Sequence, residues 1–168
     1  KPLIVWHIEK LSAAGFTDIV INVSYLAEKI KCYLGNGSQW GVRIFFSDEN
    51  PVLETAGGIK KALYLLKSDP FLVINSDIYS DINYAELYEL NLPKNIEGLL
   101  FFVKNPLHNA AGDFLLGEDE VVMNNGIIKK TFSGVGIYRP NFFYDLPNNE
   151  SIKLSDVLKE KVEKRLIR

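Results

Sequence analysis

The chain has 168 residues, 47% of them hydrophobic and 24% charged, which is enough for one globular domain with a sizeable core. Its net charge of -2 and pI near 5.7 argue against a general nucleic-acid binder, because such proteins usually carry a basic patch. No apolar run approaches the roughly 20 residues that span a bilayer, and the first residues lack a signal-peptide pattern. We therefore expect a cytoplasmic protein with a small-molecule ligand and neither nucleic acid nor membrane as partner.

The first half of the chain alternates helical and strand-like segments. Apolar spacing predicts helices at 2–14, 27–34, 59–66 and 84–90, and β-branched runs predict strands at 18–23, 42–46 and 71–74. This order predicts a parallel sheet with helices on its faces. The single cysteine, Cys32, excludes an internal disulfide framework, and its place on a predicted helix indicates a partly buried structural thiol. His7 is expected to pack near Trp6 on the first helix.

The second half is richer in strands. Strand-like segments occur at 98–103, 114–116, 121–123 and 131–138, with turn signals at 117–119 and 124–126, and a last helix is predicted at 154–166. We interpret residues 1–168 as one domain with two unequal lobes. A doubly wound sheet normally starts with a central strand, whereas this chain opens on a helix. We therefore expect that an N-terminal portion precedes Lys1.

The most informative stretch is Leu53–Gly58, followed after one predicted helix by a buried strand that leads to Asp77. Gly57 and Gly58 remove side-chain bulk where backbone N–H groups at a helix start are free, which suits a phosphate or a nucleotide base. Asp77 places a carboxylate at the C-terminal end of a strand. Open α/β sheets bind their ligands at this edge.

Several segments in order resemble the sugar-phosphate nucleotidyltransferase family, namely residues 1–4, 18–22, 53–58, 73–77, 105–108, 112–114 and 131–140. The resemblance implies a Rossmann-like mixed α/β fold, with a mostly parallel sheet flanked by helices and a β-rich second half, of the GT-A-like type. It implies a nucleotide-binding half at about 1–92 and a sugar-binding half at about 93–168. Compared with the family, we expect the fold's first strand to be missing from this sequence.

The implied reaction is attack by a sugar 1-phosphate on the α-phosphorus of a nucleoside triphosphate, with release of pyrophosphate and with Mg²⁺ as cofactor. The resemblance favours UTP and N-acetylmuramic acid 1-phosphate, in peptidoglycan recycling. Guanylyl or thymidylyl transfer to another hexose or heptose 1-phosphate is an alternative. A non-catalytic relative that binds a nucleotide sugar is another.

The same resemblance implies roles for individual residues. Asp77 is the expected catalytic metal ligand, since a hard cation takes oxygen ligands, and its alternative role is to cap a turn. The expected nucleotide-binding residues are Glu54, Thr55, Gly57 and Gly58; alternatively, Thr55 only caps the helix. The expected substrate-binding residues are Asn75, Gly112, Asp113, Ser133, Gly134 and Lys153, although Asn75 and Asp113 could instead satisfy buried backbone groups. Asp81 could cap the helix at 84–90, and His108 is expected in a turn.

Two family segments fall outside the sequence. A Gly-rich loop with a catalytic Arg would precede Lys1, and a second metal-binding Asp in a Trp-x-Asp-Val-Gly-Thr segment would follow Arg168. We therefore expect the domain to be truncated at both ends and to lack part of the active site at each. Because an uncovered strand edge invites pairing, further residues or another chain should cover it, and a homo-oligomer stays open.

Overall fold

The computed structural model of the protein describes residues 1–117 and 120–168. The elements in chain order are α1 (Leu3–Ala13), β1 (Asp18–Val23), α2 (Ala27–Leu34), β2 (Arg43–Asp48), α3 (Glu54–Ala62), β3 (Phe71–Ile74), α4 (Tyr84–Tyr88), β4 (Gly98–Val103), β5 (Phe114–Leu116), β6 (Val122–Met123), β7 (Lys129–Tyr138), α5 (Asn141–Tyr144) and α6 (Leu154–Glu163). The predicted mixed α/β class is confirmed. Within these residues no helix has the length and apolar character to cross a membrane.

The chain forms two compact units, and the first comprises residues 1–67, 76–91 and 146–152. Its sheet is the parallel pair β1–β2, in register from Asp18 opposite Arg43 to Val23 opposite Asp48. The Arg43 guanidinium donates to both carboxylate oxygens of Asp18, which fixes the start of this pair. Apolar side chains of α1, α2, β2 and the residue just before β2 form its core cluster, namely Val5, Ile8, Leu34, Val42 and Ile44.

The second unit comprises residues 68–75, 92–145 and 153–168. Its sheet has the order β3-β7-β5-β6, and β4 also pairs with β7. Every pairing between these strands is antiparallel, so parallel pairing is less extensive than the sequence indicates. The ten-residue β7 causes this difference, because it supplies the neighbour of β3. Rings of Phe71, Tyr138, Phe142 and Phe143 pack together in its core.

Three local predictions need correction. Helix α3 begins at Glu54 and ends at Ala62, so Gly57 and Gly58 lie inside the helix rather than in a loop before it. Cys32 is exposed rather than partly buried, because it lies on the outer face of α2. Asn83, not Asp81, caps α4, and its side chain accepts from the Ala85 N–H. The predicted turn at 117–119 extends beyond the described residues, and the division into nucleotide and sugar halves stays a prediction.

Candidate functional site

Helix α3 is tied by its first turn to a distant segment of the chain. The N–H groups of Ala56 and Gly57 both donate to the Ile152 carbonyl, at 3.0 and 3.2 Å, and the Ile152 N–H donates to the Leu53 carbonyl at 2.9 Å. A Cβ at Gly57 would lie 2.2 Å from the Glu150 carbonyl oxygen. The expectation that these N–H groups are free is therefore wrong for residues 56 and 57. Gly57 is required here because another backbone passes against it.

Gly58 faces a polar pair at the carboxyl ends of the parallel strands. A Cβ at Gly58 would lie 2.3 Å from Glu49 Oε1 and 2.5 Å from Asn22 Nδ2. Asn22 lies near the end of β1, Glu49 follows β2, and Glu49 Oε2 accepts from the Leu53 N–H at 2.9 Å. One carboxylate thus holds the entry to α3 and approaches Gly58. This edge of a parallel sheet is where α/β proteins bind ligands.

Glu54 and Thr55 are exposed at the start of α3. The N-cap position belongs to Leu53, which makes no side-chain cap hydrogen bond, so the alternative in which Thr55 is the cap is wrong. Glu54 has φ 57°, in the left-handed region that an L-residue rarely adopts. The Thr55 hydroxyl and the Glu54 carboxylate are therefore presented to solvent from a constrained turn.

Asp77 is exposed in the turn that follows β3 by three residues. Within residues 1–117 and 120–168, no side chain forms an ion pair or hydrogen bond with its carboxylate, and no group of three His, Cys, Asp or Glu residues could by itself hold a metal. This donor suits Mg²⁺, which typically takes one or two protein carboxylates and completes its shell with water and substrate phosphate. The described residues therefore do not form a metal site made of protein ligands alone.

In the second unit, Asn75 and Gly134 come together where β7 bulges, and the hydroxyl of the neighbouring Ser133 accepts from the Val135 N–H at 3.2 Å. β4 pairs Leu100 with Gly136 and Phe102 with Phe132, so three residues of β7 stand opposite one of β4. Gly134 has φ 81° in this bulge, and its carbonyl accepts from the Asn75 N–H at 2.9 Å. A Cβ at Gly134 would lie 2.8 Å from Asn75 Nδ2. The bulge thus sets the position of the Asn75 amide, which is exposed rather than buried.

Some of the other expected substrate-binding residues already contact other parts of the protein, and some do not. Asp113 accepts from the Asn109 amide at 2.9 Å and from the Phe132 N–H at 2.8 Å, so this carboxylate satisfies a backbone group. Gly112 has φ 68° and lies against the Lys129 backbone. Lys153 is exposed at the N-cap position of α6. Of these residues, Lys153 is the most available to an anionic ligand.

Sequence reasoning missed Asn22 and Glu49. Both were visible as polar residues at the ends of two predicted parallel strands, which is the signal that could have found them. The expected nucleotide residues and Asp77 belong to the first unit, whereas Asn75, Ser133, Gly134, Gly112, Asp113 and Lys153 belong to the second.

A family model described as nucleotidyl transferase matches residues 1–112 of the chain. The chain belongs to the nucleotidyl transferase family. It is 47% identical over 167 residues to an N-acetylmuramate alpha-1-phosphate uridylyltransferase of Neisseria meningitidis serogroup B, covering 95% of this chain and 71% of that protein. It is 40% identical over 107 residues to a mannose-1-phosphate guanyltransferase of Hypocrea jecorina, of which it covers 29%.

Solved structures support the fold. An inositol-1-phosphate CTP transferase from T. maritima superposes with a TM-score of 0.72 at 18% identity, over 99% of this chain and 71% of that one. HddC from Yersinia pseudotuberculosis, crystallised with GMP-PN, gives a TM-score of 0.74 at 20% identity, over 99% of this chain and 84% of that one. At these identities the likeness shows the nucleotidyltransferase fold and nothing finer.

Proposed function

We propose that this chain transfers a uridylyl group from UTP to N-acetylmuramic acid 1-phosphate and releases pyrophosphate. The observation that carries the proposal is the 47% identity to the N-acetylmuramate alpha-1-phosphate uridylyltransferase of Neisseria meningitidis, over 95% of this chain. A phosphate oxygen of the sugar 1-phosphate attacks the α-phosphorus of UTP, and the bond from that phosphorus to the bridging oxygen breaks. Pyrophosphate leaves with the electron pair, and no protein nucleophile is needed.

The nucleotide is assigned to the first unit. Glu49 and Asn22 lie together beside Gly58, and they offer an acceptor and a donor at one place. A uracil ring presents an N–H and a carbonyl that match such a pair. Thr55, exposed one residue after Glu54, supplies a hydroxyl for the ribose. Guanine also presents N–H groups to a carboxylate, so the guanylyl alternative shares this support and the 40% identity to the Hypocrea enzyme.

Asp77 would hold Mg²⁺ together with the phosphates of the substrate. Its carboxylate has no partner in the part of the chain that the structure describes, and a carboxylate is the donor that a hard cation prefers. When bound there, the ion would supply positive charge to offset the charge that develops on the phosphate oxygens during transfer. The sugar phosphate is assigned to the Asn75 amide, held by the bulge at Gly134, and to the Lys153 ammonium. With substrates of this kind, the cytoplasm is the proposed location.

Pyrophosphate release measured over a panel of nucleoside triphosphates and sugar 1-phosphates tests the proposal. We expect turnover to be greatest with UTP and N-acetylmuramic acid 1-phosphate and to require Mg²⁺. Asp77→Asn keeps the size of the side chain but loses the charge, and we expect it to lower kcat by about a hundredfold, or about 3 kcal/mol.

Asp81→Asn is the matched control, because Asp81 is an exposed carboxylate in the same segment and caps no helix. It should keep wild-type activity. Preference for GTP would move the assignment to the guanylyl alternative. No turnover with any substrate pair, while a nucleotide sugar still binds, would favour a non-catalytic relative.

A further inference from the structure

The segment that follows Asp77 is held by side chains of α1 rather than by a neighbouring strand. Residues 78–82 belong to no helix or strand, and no strand among the described residues pairs with them. The carbonyls of Ile78, Ser80 and Ile82 nevertheless all accept hydrogen bonds from α1. Three carbonyls at alternate positions of this segment therefore face the same helix.

His7 makes the first of these contacts. Its Nε2 lies 2.8 Å from the Ile78 carbonyl oxygen, and its Nδ1 lies 2.9 Å from the Tyr84 hydroxyl. A carbonyl can only accept, so Nε2 carries the ring proton, and in the neutral ring Nδ1 accepts from the hydroxyl. The imidazole is 4% exposed, and the Trp6 ring packs edge-on against it. Both ring nitrogens therefore have a partner, Ile78 on one side and Tyr84 on the other, and these two contacts fix the orientation of the ring.

Lys10 makes the other two contacts, one turn along the same helix. Its ammonium donates to the Ser80 and Ile82 carbonyls, each at 3.2 Å, and lies 4.3 Å from the centre of the Trp6 ring. Trp6 itself packs against Tyr79 with ring centres 4.8 Å apart. A single cation thus bridges two carbonyls, while the aromatic ring beneath it also contacts the residue between Ile78 and Ser80.

We propose that His7 and Lys10 are positioning residues that fix the Asp77 carboxylate for metal binding. The inference rests on the proposed function, because it takes Asp77 as the metal ligand. Asp77 is exposed in a turn, so the direction of its carboxylate depends on how the adjoining backbone is held, and the segment after it is held by His7 and Lys10. Groups that orient a metal ligand are typically worth 10–100-fold in metal affinity or activity.

Four variants test this inference. Lys10→Met removes the ammonium and keeps the length of the side chain, Lys10→Arg keeps a donor, and His7→Leu removes both ring contacts. Ser12→Ala is the matched control, because Ser12 also lies on α1 and its hydroxyl donates to a backbone carbonyl, that of Trp40, at 2.6 Å. Each variant is first checked by thermal unfolding, so that Lys10→Met can stand alone if His7→Leu does not fold.

The measurements are binding of Mn²⁺ alone, followed by its electron paramagnetic resonance signal, and the Mg²⁺ concentration that gives half-maximal pyrophosphate release. We expect Lys10→Met to weaken both by about tenfold, Lys10→Arg to recover most of the loss, and Ser12→Ala to stay within twofold of wild type. At saturating Mg²⁺ the KM for UTP should change less than twofold. A merely structural role would not separate metal dependence from the nucleotide KM in this way.

The inference is overturned if Lys10→Met behaves like Ser12→Ala, or if Asp77→Asn binds Mn²⁺ as well as the wild type does. Failure of the proposed function would give a different result. In that case no variant releases pyrophosphate with any substrate pair, but the Mn²⁺ affinities still rank wild type above Lys10→Met and Asp77→Asn lowest.

Discussion

Gly57→Ala is expected to destabilise the protein although it places a better helix former inside a helix. The new Cβ would lie 2.2 Å from the Glu150 carbonyl oxygen, about 1.2 Å short of ordinary contact at 3.4 Å. The opposing atom belongs to the backbone, so it cannot rotate away. Residues 150–152 must instead withdraw from α3, and the three hydrogen bonds that join Ile152 to residues 53–57 lengthen or break.

The magnitude follows from those three bonds. A backbone hydrogen bond contributes about 0.5–1.5 kcal/mol net, so losing three costs about 2–4 kcal/mol. Alanine regains about 1 kcal/mol over glycine in helix propensity. The free energy of unfolding should therefore fall by about 1–3 kcal/mol. Urea denaturation followed by circular dichroism measures this change directly.

Gly58→Ala is the matched substitution one residue along the same helix. Its Cβ would meet the side-chain ends of Glu49 and Asn22 rather than backbone. Displacing Glu49 costs its hydrogen bond to the Leu53 N–H, about 1 kcal/mol, which the helix propensity of alanine offsets, so the free energy of unfolding should stay within about 1 kcal/mol of wild type. Its nucleotide affinity should fall instead. A Gly57→Ala protein as stable as wild type, or more stable, would refute the argument that the Glu150 backbone requires this glycine.

Three further substitutions probe the second unit. Gly134→Ala forces a residue at φ 81° to carry a Cβ 2.8 Å from the Asn75 amide, so we expect a loss of about 1–3 kcal/mol in stability and a raised KM for the sugar phosphate; an unchanged KM would contradict the assignment of Asn75. Tyr138→Phe should raise the free energy of unfolding by about 1–3 kcal/mol, because the buried hydroxyl has no partner among the described residues. Burial raises the pKa of Tyr138, so the folded state keeps a proton that the unfolded chain loses near pH 10. Stability should therefore decline as the pH rises above about 10, and Tyr138→Phe should flatten that decline in urea titrations at several pH values. Arg139→Met should cost about 2–4 kcal/mol, since the guanidinium donates to the Leu92 and Ile96 carbonyls and to Asp69, and a thermal scan that shows no shift would refute this.

Local elements could be predicted where the apolar pattern is strong. The bounds of β1, α2, β3 and β4 agree with the sequence because β-branched runs and helical spacing leave little choice. The start of α3 could not be predicted in this way. Two glycines favour a loop by propensity, but residues 150–152 pass against Gly57 and make the helix the favoured state. Antiparallel pairing of β3 likewise depends on β7, which lies far away in sequence.

The site was predictable only in part for the same reason. Asp77 stands out because it follows a strand end, and the structure leaves its carboxylate unpaired within the described residues. Glu49 could have been suspected from its place after a predicted strand, but its approach to Gly58 is a contact that only the folded chain reveals. The two hydrogen bonds that Asp113 accepts, from the Asn109 amide and the Phe132 N–H, are also contacts that only the folded chain reveals.

The bonds between α3 and Ile152 also constrain how the protein is made. Leu53, Ala56 and Gly57 leave the ribosome long before Ile152 does, yet their hydrogen bonds are completed only by that residue. At about 5–20 residues per second, the first turn of α3 waits about 5–20 s for its partner. During this interval the glycine-containing segment is an unfinished helix with bare N–H groups. Nascent chains should therefore resist proteases at α1 and β1 well before they do so at α3.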